Sequence, residues 1–252
     1  MTNLVLPNAK IENIKMVVFD KDGTLIDVHH YWCSMIEFRA KFFVEIVGTD
    51  KKSQLYDELV DNMGIDLVSK KMKPEGPVGI KPRDFIVDVA LETVRRYDNS
   101  INRDTIEDIF VKVDEYSKTK LDKIVKVLPG VETVLENLKK ADIAIAVATT
   151  DLTKRASLAM EVLNIKSYFD DIIGADLVKK AKPNPDLVDY IIKKNSLSSE
   201  DVLVVGDSMA DLGMASNAGC QFLAVKTGLY TDEFIIKSEY IIDNLTFLKV
   251  EI

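Results

Sequence analysis

Asp20 and Asp22 stand two residues apart in the stretch Phe19-Asp20-Lys21-Asp22-Gly23-Thr24-Leu25-Ile26-Asp27, directly after the apolar run Met16-Val17-Val18. Carboxylates that close together repel one another. Either they close a turn, which Asp-Gly favours, or they hold a cation and do chemistry. Comparable groups follow other apolar runs further along. Thr149 and Thr150 come after 143–148, and Lys182 lies in the polar segment 179–186 after a weaker run at Ile172. Asp207 and Asp211 come after 202–205, in Gly206-Asp207-Ser208-Met209-Ala210-Asp211. Singly, each has a plainer reading. Lys182 reads as a solvated surface lysine, Thr149-Thr150-Asp151 as a helix N-cap, and Asp207 and Asp211 as acids favoured by the dipole at a helix start. Jointly, those readings require four polar groups to fall behind apolar runs independently of one another.

The elements that must position these groups follow from hydrophobic texture. The runs 16–19, 143–148, 202–205, 222–225 and 240–242, with a shorter one at 172–174, are apolar on both faces and read as buried strands. Between them lie helical patterns. Val131, Val134, Leu135 and Leu138 share one helix face, 153–163 forms another helix, and Pro185 opens a third with Leu187, Val188, Ile191 and Ile192 facing inward. A further helix around 211–217 ends near Gly219. Strands alternating with helices predict an α/β fold with a Rossmann-like parallel sheet covered on both sides. In such sheets ligands bind beyond the carboxyl ends of the strands, where the acids, hydroxyls and lysine fall.

Residues 28–127 have a different texture, with apolar residues at helical spacing and no buried strand. Helices are predicted over 31–47, 54–63, 82–97 and 102–123, with a Pro/Gly-rich loop at 73–82. The expected organisation is an α/β catalytic core made of 1–27 and 128–252, with an inserted helical cap domain at 28–127. Linkers are expected near Asp27-Val28 and Leu128-Pro129-Gly130. The stripes Phe38, Phe42 and Ile46, and Phe85 with Val89, are read as cap core or a homodimer face.

The ordered set Asp20-Lys-Asp22-Gly23-Thr24, Thr149, Lys182 before Pro183, and Asp207 with Asp211 resembles the four motifs of the haloacid dehalogenase-like superfamily, in its C1-capped phosphatase subgroup. The resemblance covers the whole chain, since the helical insertion falls where that subgroup carries its cap. It implies a phosphomonoester hydrolase. Asp20 would be the nucleophile that forms an aspartyl-phosphate, and Asp22 the acid that protonates the leaving alcohol and then the base that activates water. Mg²⁺ would be held by the side chains of Asp20 and Asp207, with Asp211 as a further ligand or a support behind them and Asp22 contributing through its backbone carbonyl. Gly23, Thr149, Thr150 and Lys182 would bind phosphate, Gly23 by permitting a backbone turn that aims amides at the anion. The expected substrate is a small phosphorylated metabolite such as a sugar phosphate or phosphoglycolate.

Within the superfamily, an acid at Asp22 favours phosphate-ester chemistry over dehalogenation. A sugar phosphomutase is the rival, but such relatives carry a histidine where this chain has Trp32. A non-catalytic binding module that kept the fold is the alternative from another class. Lys81 and Arg83, in the loop stretch 79–83, are read either as charges that choose the substrate or as solvated charges at a helix start, and Trp32 as a packing residue or a wall of the substrate pocket. Cap closure is expected to exclude water. His29 and His30 are read as linker residues that either face solvent or contact substrate, and Lys21 as turned away from the site.

Composition narrows the classes. A net charge of −8 disfavours nucleic acid and anionic membrane as partners. Cys33 and Cys220 form no metal or disulfide pattern, and the first residues lack the build of a signal peptide. The longest apolar run, 143–148, is far too short to span a bilayer. A cytoplasmic monomer or homodimer is the expectation.

Overall fold

The computed structural model describes residues 3–73, 76–78 and 81–251. The chain divides into two compact units, one formed by Met1–Val28 with Val125–Ile252, the other by His29–Ile124.

In the first unit, six strands form one parallel sheet: β3 (Met16–Phe19), β4 (Ala144–Thr149), β5 (Asp171–Gly174), β6 (Val202–Gly206), β7 (Gln221–Val225) and β8 (Tyr240–Ile242). Their order is β5-β4-β3-β6-β7-β8. Val17 and Val18 on β3, like Val204 on β6, are wholly buried, as a strand covered on both faces requires. The α/β reading is thereby observed, down to the short strand at 171–174.

Helices α6 (Val131–Lys140), α7 (Thr153–Val162), α8 (Asp186–Asn195), α9 (Met209–Ala218) and α10 (Asp232–Lys237) lie between the strands in sequence. Leu187, Val188 and Ile191 of α8 join Met214 and Ala215 of α9 in one apolar layer with Met16, Val18, Ala146 and Val204 of the sheet. Burying a side chain of this size contributes about 1.5–3 kcal/mol, so this layer fixes where the strand ends point. β3 is the switch point of the sheet: the chain runs outward through β4 and β5 on one side, then returns to β6 on the other. A crevice forms where the strand order reverses in this way.

A second, antiparallel sheet is absent from the sequence reading. β1 (Asn3–Leu6) pairs with β2 (Ala9–Glu12) on one edge and with β9 (Lys249–Glu251) on the other. Leu4, Leu6 and Ile11 are buried while their neighbours are more exposed, the period-2 signature of a half-covered sheet. The segments are too short for that signature to stand out, and the pairing joins residues more than two hundred positions apart.

Where the chain leaves and re-enters this unit, Ile26 bridges Val127 in antiparallel fashion. The Asp27 N–H donates to Lys126 O at 2.8 Å, and the Leu128 N–H to Leu25 O at 3.0 Å.

The second unit is built on α1 (Val28–Ile46), α2 (Lys52–Asn62), α3 (Arg83–Arg95), α4 (Arg103–Lys118) and α5 (Leu121–Ile124). Three expectations change. α1 begins at Val28, so His29 and His30 lie in its first turn; His30 Nε2 lies 2.9 Å from Lys123 O. The single helix expected over 102–123 is two, because the Thr119 hydroxyl donates to Tyr116 O and the Ser117 hydroxyl to Asp114 O, both at 2.8 Å, and such back-bonding competes with the helix ladder. The buried face of α1 carries Met35, Ile36, Ala40 and Phe43. Phe38 and Phe42 pack on Tyr116 instead, at ring separations of 5.1 and 5.6 Å, and Ile46 and Phe85 are exposed.

Candidate active site

Each strand end of the switch region delivers one chemical group. β3 ends at Phe19, whose register partners are Val147 on β4 and Val205 on β6. The following residue, Asp20, is tied to β6 by its N–H donating to Val205 O at 2.8 Å. Asp207 follows Gly206 at the end of β6, and Thr149 ends β4. One residue of register slip in any strand would turn these side chains to the other face.

The chain then reverses tightly. Lys21 O accepts from the N–H groups of both Leu25 and Ile26, and the Gly23 N–H donates to Ile26 O. Gly23 has φ +91°, a conformation that side chains disfavour. A second constraint acts there: a Cβ on Gly23 would overlap Asp207 Oδ2, and so would a Cβ on Gly228. The Asp207 carboxylate therefore sits in a slot between two backbone segments. The slot is held shut by the Thr227 hydroxyl, which donates to Gly23 O at 2.5 Å.

Asp211 does two jobs at once. Ser208 and Asp211 form a reciprocal capping box at the start of α9, with Asp211 Oδ2 accepting from the Ser208 N–H at 3.1 Å and hydroxyl at 2.5 Å. Its other oxygen accepts from Lys182 Nζ at 2.6 Å. The helix-start reading of this aspartate is observed in one oxygen, while the other meets Lys182.

Lys182 Nζ also donates to Asp20 Oδ1, at 2.5 Å. The Lys182 side chain is only 3% exposed, so it is not a solvated surface lysine. Its loop is held against α9 by the Asn217 side-chain amide, which donates to Pro183 O at 2.9 Å, and by the close approach of Pro183 to Gly213.

Asp20, Asp207 and Asp211 are all buried, and one oxygen from each lies within 4.8 Å of the other two. Burial, reinforced by Asp211 and Asp22, pushes the Asp20 carboxyl up to about 7 even with Lys182 opposing it. Burial and the Asp20 and Asp211 charges push Asp207 well above the carboxylate range. Burial works against the Lys182 charge, but Asp20 and Asp211 outweigh it and hold the ammonium above its ordinary range. Once all three carboxylates are ionised, one ammonium leaves two negative charges to neutralise. The donor set, all oxygen and all anionic, suits a hard divalent cation such as Mg²⁺.

Other groups named from the sequence fall in different surroundings. The Asp22 carboxylate lies outside the three-acid cluster and pairs with Lys21 Nζ at 2.7 and 2.8 Å. Lys21 is itself buried and meets Asp151 at 3.3 Å, so the expectation that it turns away from the site is wrong. Thr149 is buried, with its Oγ1 accepting from the Asp151 N–H at 3.1 Å, whereas Thr150 is exposed. Trp32, Lys81 and Arg83 belong to the helical unit. Trp32 packs edge-on against Tyr31 at 5.1 Å. Lys81 Nζ lies 6.0 Å from the Phe85 ring. Arg83 pairs with Asp114 at 2.5 Å above the Phe110 ring, so its charge already has a partner. Gly79 and Ile80 lie outside the described residues.

Residues 17–225 match the family described as haloacid dehalogenase-like hydrolase. The chain is 26% identical over 246 residues to the phosphoglycolate phosphatase of Vibrio parahaemolyticus, covering 94% of this chain and 95% of that one. Two solved structures share the fold at 21% identity, each covering 93% of this chain and 96% of the other. One is a predicted phosphoglycolate phosphatase from Haemophilus somnus, TM-score 0.68. The other, from Thermotoga maritima and provisionally assigned as a beta-phosphoglucomutase, has TM-score 0.69.

Proposed function

The chain belongs to the haloacid dehalogenase-like hydrolases, and from that premise we propose that it is a Mg²⁺-dependent phosphatase of small phosphorylated metabolites, working through an aspartyl-phosphate on Asp20. The observation that carries the proposal is the buried cluster at the sheet's switch point, where Lys182 bridges Asp20 and Asp211 beside Asp207. The phosphatase of Vibrio parahaemolyticus, similar over nearly the whole chain, supports phosphoester chemistry and makes phosphoglycolate the first substrate to try.

Asp20 attacks phosphorus, the P–O bond to the alcohol breaks, and Asp22 gives its proton to the departing oxygen. Asp22 then takes a proton from the water that attacks the phosphorus of aspartyl-phosphate, releasing inorganic phosphate and restoring Asp20. Lys182 fixes the Asp20 carboxylate through Oδ1 and balances charge that gathers on the phosphoryl oxygens. The Thr149 hydroxyl, held at the end of β4, donates to one of those oxygens. When bound by Asp20 and Asp207, supported by Asp211 and the Asp22 carbonyl, Mg²⁺ supplies neutralisation of the remaining negative charge.

The test is Mg²⁺-dependent phosphate release from a panel containing phosphoglycolate, glycerol phosphates, sugar phosphates and p-nitrophenyl phosphate. Turnover of at least one alkyl phosphate is expected, and a silent panel sinks the proposal. A mutase would instead isomerise a hexose 1-phosphate when primed with a bisphosphate, with little free phosphate. Among the described residues no helix is long and apolar enough to cross a membrane, and no disulfide joins Cys33 and Cys220; both are compatible with action in the cytoplasm.

The cation also leaves a mark on stability. An ordinary aspartate has a pKa of 3.8, whereas that of Asp20 is raised to about 7. Between those values the folded chain binds a proton that the unfolded chain does not. Metal-free stability from this group is therefore present at low pH and lost as pH rises through about 7. Mg²⁺ needs the carboxylate, so it stabilises more at pH 8 than at pH 5.5. At a concentration near a hundred times Kd the gain is about 2.7 kcal/mol, or roughly 5–10 °C in Tm for a chain of this length. Thermal scans with and without Mg²⁺ at the two pH values check this, and equal shifts would contradict it.

A further inference from the structure

We propose that Lys21 is a positioning residue for proton transfer: it holds the Asp22 carboxylate in place and ties it to the loop that carries Thr149. This rests on the phosphatase reading above and extends it to a residue that its mechanism leaves unused.

The observations form one connected path. Side chains of adjacent residues usually diverge, so a contact between Lys21 and Asp22 needs a folded turn. That turn exists here because Lys21 O accepts two N–H groups, from Leu25 and Ile26. Lys21 Nζ reaches both oxygens of Asp22, at 2.7 and 2.8 Å. From there it reaches Asp151 at 3.3 Å, in the loop after β4. Asp151 is itself fixed: its N–H donates to Thr149 Oγ1 at 3.1 Å, and its Oδ1 accepts from the Leu152 N–H at 2.8 Å. Asp22, Lys21, Asp151 and Thr149 thus join the ends of β3 and β4 through two ion pairs and one backbone N–H.

Exposure sets the direction of control. The Lys21 side chain is 6% exposed and that of Asp22 31%. A buried ammonium is tolerated only with charged partners, and Asp151 and the turn help to fix its position. The more exposed Asp22 has the freedom to lose. A proton donor helps only when it lies within hydrogen-bond reach of the departing oxygen, and an anchored neighbour restricts the carboxylate to few orientations.

The test exploits the fact that proton donation matters for a poor leaving group and hardly at all for a good one. Lys21→Met is compared with wild type using the fastest alkyl phosphate of the panel and p-nitrophenyl phosphate. The quantity read is kcat/KM, which covers steps up to alcohol departure and excludes breakdown of the aspartyl-phosphate. General acid catalysis contributes about 10²–10⁴-fold. The alkyl phosphate is therefore expected to lose at least about tenfold more kcat/KM than the aryl one. Asp151→Asn, which loosens the far anchor, is expected to show the same bias at smaller size, and it decides the matter if Lys21→Met fails to fold. Equal losses on both substrates, or none, overturn the assignment and make Lys21 a structural ion-pair partner only, with the phosphatase reading intact. A wild-type protein without turnover of any phosphate ester overturns both, and so separates the two failures.

Discussion

Replacing Asp20 by Asn is expected to lower phosphate release by at least about 10⁴-fold, the scale seen when a catalytic nucleophile is removed, while leaving the protein folded. The amide has the shape of the carboxylate but cannot form the aspartyl-phosphate. Little stability should be lost, because Lys182 keeps its 2.6 Å hydrogen bond to Asp211. The repulsion among Asp20, Asp22 and Asp211 that helps raise the Asp20 carboxyl to about 7 is removed as well. Phosphate assays and thermal scans on the same preparation check both halves. Retained turnover would remove Asp20 as nucleophile; a collapse in Tm would mean that the carboxylate is needed for folding first.

Replacing Lys182 by Met should damage the protein in the opposite pattern, in stability as well as turnover. The methionine fills similar volume but leaves Asp20 and Asp211 buried without the ammonium that both hydrogen-bond. Removing one partner of a buried ion pair costs about 3–5 kcal/mol. The penalty falls on ionised carboxylates, so it is greatest at pH 8 and shrinks as pH falls and the cluster takes up protons. Turnover should fall by about 10²–10³-fold through lost electrostatic stabilisation. Urea denaturation at pH 8 and pH 5.5 measures the first effect and phosphate release the second. A variant as stable as wild type at pH 8 would show that Lys182 is not what holds the acids together.

Asp20 is legible because it directly follows a strongly apolar run, and ligands bind at the carboxyl ends of a parallel sheet; Lys182, beyond a weaker run, is legible only together with the other groups. Residue type and strand order point to the strand ends at which Asp20, Lys182 and Asp207 come together. Lys21 was misjudged because alternation along an extended chain points it away from Asp20, whereas the turn closed by Leu25 and Ile26 curls it back over Asp22. Gly228 and Thr227 were invisible for another reason. Gly228 confines Asp207 and Thr227 clasps Gly23, and nothing local in their sequence marks either contact. The break between α4 and α5 hinged on hydroxyls of Ser117 and Thr119, whose competition with the helix ladder is weak enough to be overridden elsewhere.

The position of β3 in the sheet has a consequence for how the protein is made. β3 is flanked by β4 and β6, yet it ends at Phe19 and β6 begins only at Val202. At about 5–20 residues per second, translation between those points takes roughly 10–40 s. Through that interval the nascent chain carries a wholly apolar strand still lacking the second of its neighbours, the kind of unpaired edge that invites aggregation. The helical unit, encoded in between and rich in local contacts, can condense in the meantime. The strand bearing Asp20 is therefore among the first made and among the last to be enclosed. No incomplete chain lacking β6 and α9 can gather the acids, so a partly synthesised molecule on the ribosome lacks the three-acid cluster.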